Sequence, residues 1–115
     1  MRRGEVRFVA LDPSRGAEAN KTRPAVIVSN DSANAITERL GRGVVTVLPL
    51  TSNVDRVYPF QVLVPATESG LSRDSKVQAE QVRTVAVERV GRRIGRVPAT
   101  LMIAVDAALR LHLAL

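Results

Sequence analysis

Residues Glu5 to Leu11 alternate, with Val6, Phe8 and Ala10 on one side and Arg7 on the other, which predicts a strand. Asp12-Pro13-Ser14-Arg15-Gly16 follows with strong turn chemistry, and Ala17 to Thr22, small and polar, reads as a surface loop. Pro24 to Val28 is a short apolar run behind a proline, a residue tolerated at the start of a strand, and predicts a second one. Ser29-Asn30-Asp31-Ser32 gathers helix-capping residues and predicts a short helix from Ala33 to Arg39, ended by Gly41-Arg42-Gly43. Val44 to Leu50 is a continuous apolar run with Thr46 inside it, the pattern of a buried strand, closed by Thr51-Ser52-Asn53. Further strands are predicted at Phe60 to Val64, over a longer region from Ser75 to Val85, and at Arg92 to Val97, with a turn at Ser69-Gly70. Pro98 suits the first position of a final helix reaching Leu115. In that helix Leu101, Val105, Ala108 and His112 form one stripe, with Met102, Leu109 and Leu113 beside it. One face of it should pack on the sheet or on a second copy of the chain. Five to seven short strands with a short helix and a C-terminal helix predict a mainly β fold, a small, strongly bent barrel rather than a parallel α/β sheet.

Composition narrows this. At 115 residues the expectation is a single domain over 1–115 with one modest core. The chain is 45% hydrophobic but only 3% aromatic, so Val, Leu, Ile and Ala must build that core, which favours strands. With no cysteine, disulfides and thiolate metal sites are excluded. No apolar run approaches the roughly 20 residues of a membrane-spanning helix. The basic opening Met1-Arg2-Arg3-Gly4-Glu5 leads into no signal core, so the expected location is the cytoplasm. The formal net charge is +6 and the cations are mostly arginine, which forks onto phosphates and stacks on bases. Nucleic acid or an acidic protein segment would suit such a chain. A merely solvated arginine-rich surface fits the composition equally well.

The residues present restrict the chemistry. The acids are scattered, and the sole histidine, His112, sits in the terminal helix, so neither a metal cluster nor a Ser-His-Asp triad is expected and no cofactor is called for. Gly41-Arg42-Gly43 is a turn and not a phosphate-binding fingerprint. RNA cleavage needs none of these parts, because RNA carries its own nucleophile, the 2′-OH, beside the scissile phosphate. A carboxylate, an arginine and a hydroxyl can divide the remaining work.

A set of motifs resembles the MazF/PemK/Kid toxins. They are Arg3-Gly4-Glu5-Val6, Leu11-Asp12-Pro13 with Gly16-Ala17-Glu18, Arg23-Pro24-Ala25-Val26-Ile27-Val28-Ser29, and Val47-Leu48-Pro49-Leu50-Thr51-Ser52. Tyr58-Pro59-Phe60-Gln61-Val62, Glu80-Gln81-Val82-Arg83-Thr84 and Arg93-Ile94-Gly95-Arg96-Val97-Pro98 continue the match. Each motif alone is weak, but seven stand in order from Arg2 to about Leu113. The resemblance implies an SH3-like β-barrel that forms a homodimer. It implies cleavage of single-stranded RNA at a short sequence, leaving a 2′,3′-cyclic phosphate and a 5′-hydroxyl. It also implies a cognate antitoxin whose acidic, flexible tail occupies the RNA site.

Position by position, the resemblance puts the family's conserved arginine on Arg23, for which stabilisation of phosphoryl charge suits its high pKa better than proton donation. Its catalytic threonine falls on Thr51, with Ser52 as neighbour. Glu18, five residues before Arg23, is the candidate general base. Asn53, Arg56 and Tyr58 are expected to border the RNA, Tyr58 as a stacking surface, while Phe60 is expected in the core. Some members carry an Arg-x-Asp pair where this chain has Gln78-Ala79-Glu80, leaving Glu80 at the RNA site as an alternative base or as a structural partner for Arg23. Glu5 reads as a salt-bridge carboxylate, and Arg7 stands where many members have tryptophan. Two rivals share parts of this pattern: a CcdB-like gyrase poison of the same fold, and a basic barrel that binds RNA without cutting it.

Overall fold

Strand β1 spans Glu5–Ala10 and pairs antiparallel with β2, Thr22–Ile27, in a register that sets Val6 against Val26 and Val9 against Arg23. The computed structural model describes residues 1–11 and 22–115, so the turn at 12–16, the loop after it and Glu18 lie outside the described residues. Asn30 caps helix α1, Asp31–Leu40, by accepting from the Ala33 N–H at 2.8 Å, which starts the helix two residues earlier than the pattern suggests. Gly41, at φ 68°, closes it. Strand β3, Val44–Thr51, then pairs with β2.

The region expected as one long strand is two. Strand β5, Ser75–Gln78, and strand β6, Arg83–Ala86, follow one another along β3, separated by a 3-10 turn at Ala79–Gln81. Leu50 faces Val77 but Val47 faces Arg83, so the turn loops out three residues and shifts the register. Strand β4, Gln61–Val64, lies outside β5, and β7, Val90–Arg96, lies outside β1. Helix α2, Ala66–Ser69, adds a single turn where only a bend was expected, and α3 runs from Ala99 to Leu113. The sheet has seven strands in the order β4-β5-β3-β2-β1-β7, with β6 on β3. Among the described residues no pairing joins β7 back to β4 or β6. The fold is therefore mainly β as expected, but barrel-like and open rather than a closed barrel.

Both faces of the central strands are buried, which explains the unbroken apolar runs. Val26, Leu48 and Leu50 join Val6, Val62, Val64, Val77 and Val97 under α3, while Ala25, Ile27, Val45 and Val47 join Val9, Leu11 and Val85 on the other face. Each such side chain contributes about 1.5–3 kcal/mol by burial. Val105 and Ala108 of α3 are buried, with Leu101, Met102 and Leu109 beside them, whereas His112 and Leu113 are exposed. Arg3 ties the N-terminus to α3 through Asp106, at 2.6 Å.

Phe8 corrects the alternation read into β1. Val6 and Val9 are buried on opposite faces of β1, whereas Phe8, on the Val6 side, is only half-buried beside the stretch where β7 carries two extra residues. Arg92 lies over the Phe8 ring at 4.7 Å. Arg7 bridges the strands, its Nε donating to Glu5 at 3.0 Å and its Nη1 to the Gly91 carbonyl at 3.1 Å.

Candidate functional site

Pairing between β2 and β3 ends at Ala25 opposite Pro49, with Pro24 just outside it. Prolines cannot donate to a ladder, and the two strands part here. Continuing the register by two residues would set Arg23 opposite Thr51. Both side chains line a cavity of about 380 Å³ at this parting, with Ser52 beside Thr51. Pro24, Leu50 and Leu71 supply apolar wall, and Ser72, Arg73 and Ser75 complete the polar lining. None of the described residues around it is a carboxylate. A space lined by two arginines and by the hydroxyl-bearing Thr51, Ser52 and Ser72 suits an anion with several oxygen acceptors.

Arg23 also lines a second cavity of about 320 Å³, with Gln78, Gln81 and Arg83 and an apolar wall from Leu11 and Pro49. Side-chain amides donate and accept at once, as the edge of a nucleobase requires. The residue that departs from the Arg-x-Asp pattern, Gln78, thus stands beside Arg23.

Thr51 is oriented by the chain that follows it. Its Oγ1 accepts the Asn53 N–H at 3.2 Å, and the Asn53 side chain in turn accepts the Asp55 N–H at 3.3 Å. Exposed Arg56 donates to the Tyr58 hydroxyl at 3.2 Å, with its guanidinium 5.8 Å from the ring centroid. Tyr58 and Phe60 stack nearly parallel with centroids 5.4 Å apart, so Phe60, expected in the core, belongs to a surface platform instead. The buried Lys76 amine donates to the Arg56 carbonyl and anchors this loop to β5. Asn53, Arg56 and Tyr58 line neither cavity and form the adjoining loop.

Glu80 also lines neither cavity. Its Oε2 accepts from Gln61 Nε2 at 2.7 Å, while Gln61 Oε1 accepts the Tyr58 N–H at 3.1 Å. Its Oε1 is buried and has no partner among the described residues. Glu5 stands in the ion pair read for it. Burial raises its pKa, but hydrogen bonds from Arg7 and the Arg2 backbone, with the charges of Arg7 and the N-terminus, outweigh that and hold it below 4.5. Among the described residues no three His, Asp or Glu side chains gather as metal ligands, and no helix is long and apolar enough to cross a membrane.

Ser72, Arg73 and Ser75 went unread in the sequence. Their only local signal is an arginine among serines just before a strand, and nothing in their spacing links them to Arg23 fifty residues away.

Comparison with known proteins identifies the family of the chain. The sequence profile of the PemK-like, MazF-like toxins of type II toxin-antitoxin systems matches residues 2–113. The chain is 62% identical over 113 residues to the endoribonuclease MazF9 of Mycobacterium tuberculosis, covering 98% of this chain and 96% of that protein. It is 31% identical over 116 residues to the endoribonuclease EndoA of Bacillus subtilis, covering 100% and 96%. A mycobacterial endoribonuclease in complex with its cognate antitoxin superposes with a TM-score of 0.76 at 26% identity, covering 100% of this chain and 96% of the other. A MazE-MazF structure from Deinococcus radiodurans gives 0.78 at 26%, covering 100% and 97%. The chain belongs to the PemK-like, MazF-like toxins of type II toxin-antitoxin systems.

Proposed function

We propose that this member of an endoribonuclease toxin family cuts single-stranded RNA by attack of the substrate's own 2′-oxygen, without a metal ion. The observation that carries the reading is the cavity shared by Arg23 and Thr51. The scissile phosphate sits there. Its 2′-OH gives its proton to a carboxylate, and the 2′-oxygen bonds to phosphorus. The bond to the 5′-oxygen breaks, and that oxygen takes a proton from solvent. A 2′,3′-cyclic phosphate and a 5′-hydroxyl result. Arg23 supplies a fixed positive charge where negative charge grows on the phosphoryl oxygens, and the Thr51 hydroxyl donates to one of them. Ser52 adds a second hydroxyl. Glu18 is assigned the proton-accepting role from its place in the sequence alone.

The amide-lined cavity on the far side of Arg23 takes a neighbouring base, and the Arg56–Tyr58 loop borders the strand's path. The net charge of +6 favours both RNA and the acidic antitoxin that neutralises the toxin by covering this cavity. The toxin acts in the cytoplasm as a homodimer, for which the exposed Ile103 and Leu111 of α3 offer apolar surface. Cleavage of translated RNA stops protein synthesis and growth.

The test uses an oligonucleotide carrying one mapped cut site, incubated with the toxin in EDTA. Cleavage with a cyclic phosphate end is expected, and a single 2′-deoxynucleotide at that site should block it. Cutting that persists at the deoxy position, or that requires a divalent ion, overturns the mechanism.

A further inference from the structure

The Arg23 cavity holds a second arginine and more room than one phosphate group fills. Arg23 and Arg73 both line it, among Thr51, Ser52, Ser72 and Ser75. Among the described residues neither arginine forms an ion pair. The volume of about 380 Å³ equals that of roughly a dozen liquid waters, more than a single phosphate group fills.

Arg73 is held in place from both sides. Gly70 ends α2 at φ 82° and lies so close to β7 that a Cβ there would stand 3.0 Å from the Ile94 carbonyl oxygen. Leu71 is buried, and its N–H donates to Ser69 Oγ at 3.3 Å. On the other side Asp74 accepts the Ala66 N–H at 2.8 Å, and buried Ser75 donates to the Arg73 carbonyl at 3.1 Å. The backbone that carries Arg73 is thus set before any ligand arrives, which lowers the entropy cost of binding.

We propose that Arg73 binds the phosphate adjacent to the scissile one, so that the toxin engages two consecutive phosphates of the RNA strand. This rests on the reading of the Arg23 cavity as the cleavage site. Arg73 touches a phosphate that does not react. It therefore contributes equally to ground-state and transition-state binding and acts on KM rather than kcat.

The experiment replaces single phosphates flanking the mapped cut site by neutral methylphosphonates. Neutralising one of the two flanking positions should lower wild-type kcat/KM by about 10- to 100-fold. Arg73→Ala should raise KM by a similar factor, keep kcat, and lose its sensitivity at that position. Arg73→Lys should recover part of the affinity, and a melting curve confirms that both variants fold. A wild-type KM in Arg73→Ala, or undiminished sensitivity at both flanking positions, overturns the proposal. So does unchanged cleavage together with weakened binding of a hexaglutamate peptide, which would give Arg73 to an acidic protein partner. If the wild-type protein cuts no oligonucleotide, the cleavage reading fails separately. Anisotropy with the same oligonucleotides then decides the case of Arg73, and equal affinities of wild type and Arg73→Ala overturn it.

Discussion

Thr51→Val tests the role of the β3 hydroxyl with little change of shape. A threonine hydroxyl accepts through its oxygen and donates its single hydrogen. In the structure the oxygen already accepts the Asn53 N–H at 3.2 Å, which leaves the hydrogen to turn toward the cavity and its phosphate. Valine removes both functions. Loss of one donor aimed at a developing oxyanion costs about 2.7–4 kcal/mol, so cleavage should slow about 10²- to 10³-fold. The folding cost is smaller. One side-chain-to-backbone hydrogen bond at a half-buried position contributes about 1 kcal/mol, a fall in Tm of about 3–6 °C for a chain of this length. Thr51→Ser keeps both functions and should retain most of the activity. The assay is single-turnover cleavage of an oligonucleotide with one mapped site, at saturating enzyme and below the variant's melting range, with a thermal melt in parallel. A Thr51→Val toxin that cuts at the wild-type rate would refute the assignment. Loss of activity equal in the serine and valine variants would refute it as well, since only valine lacks the hydroxyl.

Further outcomes follow from other parts of the molecule. Gly95→Ala would place a Cβ 1.8 Å from the Ser69 carbonyl oxygen, a backbone atom that cannot swing away, so the variant should lose about 3 kcal/mol or more of stability in urea denaturation, and an unchanged midpoint would contradict the packing described. Glu5→Gln removes a carboxylate whose folded pKa lies below its ordinary 4.5. Such a group stabilises the fold above its unfolded pKa and loses that effect as pH falls through the folded value. The variant should therefore be less stable by about 1 kcal/mol at neutral pH, and the gap should close in acid; a gap that widens on acidification reverses the sign. Glu18→Gln should lower kcat by about 10²- to 10⁴-fold and remove the acid limb of the pH–rate profile, whereas an unchanged profile transfers the base role to another group.

Much of the fold follows from local pattern. Asn30 and Gly41 bracket α1 because a side-chain acceptor and a left-handed closing residue meet needs local to any helix. The continuous run from Val44 to Leu50 indicated a strand buried on both faces, and β3 is one. What local pattern could not carry was register. Phe8 stays only half-buried beside the extra residues of β7, and the three residues looped out at Ala79–Gln81 divided a region that reads as one strand. Openness of the sheet is likewise a property of pairing between distant edges. At the site, Arg23 and Thr51 were legible only through the resemblance of the Arg23–Ser29 and Val47–Ser52 motifs to the toxin family, not from any local pattern. Arg73 was not, since only the turn at Gly70 packed on β7 brings it to them. Arg7, without a reading in the sequence, joins Glu5 to the Gly91 carbonyl, a contact that requires β7 to lie beside β1.

The most direct measurement of the central claim is a double-mutant cycle between Arg23→Ala and Thr51→Val, read as single-turnover cleavage rates. If the guanidinium and the hydroxyl steady the same phosphorus centre, the double variant should be little slower than the worse single one, because groups acting as a unit are strongly non-additive. Strictly additive losses would mean that the two side chains work on separate parts of the RNA and that their common cavity is not where the phosphate reacts.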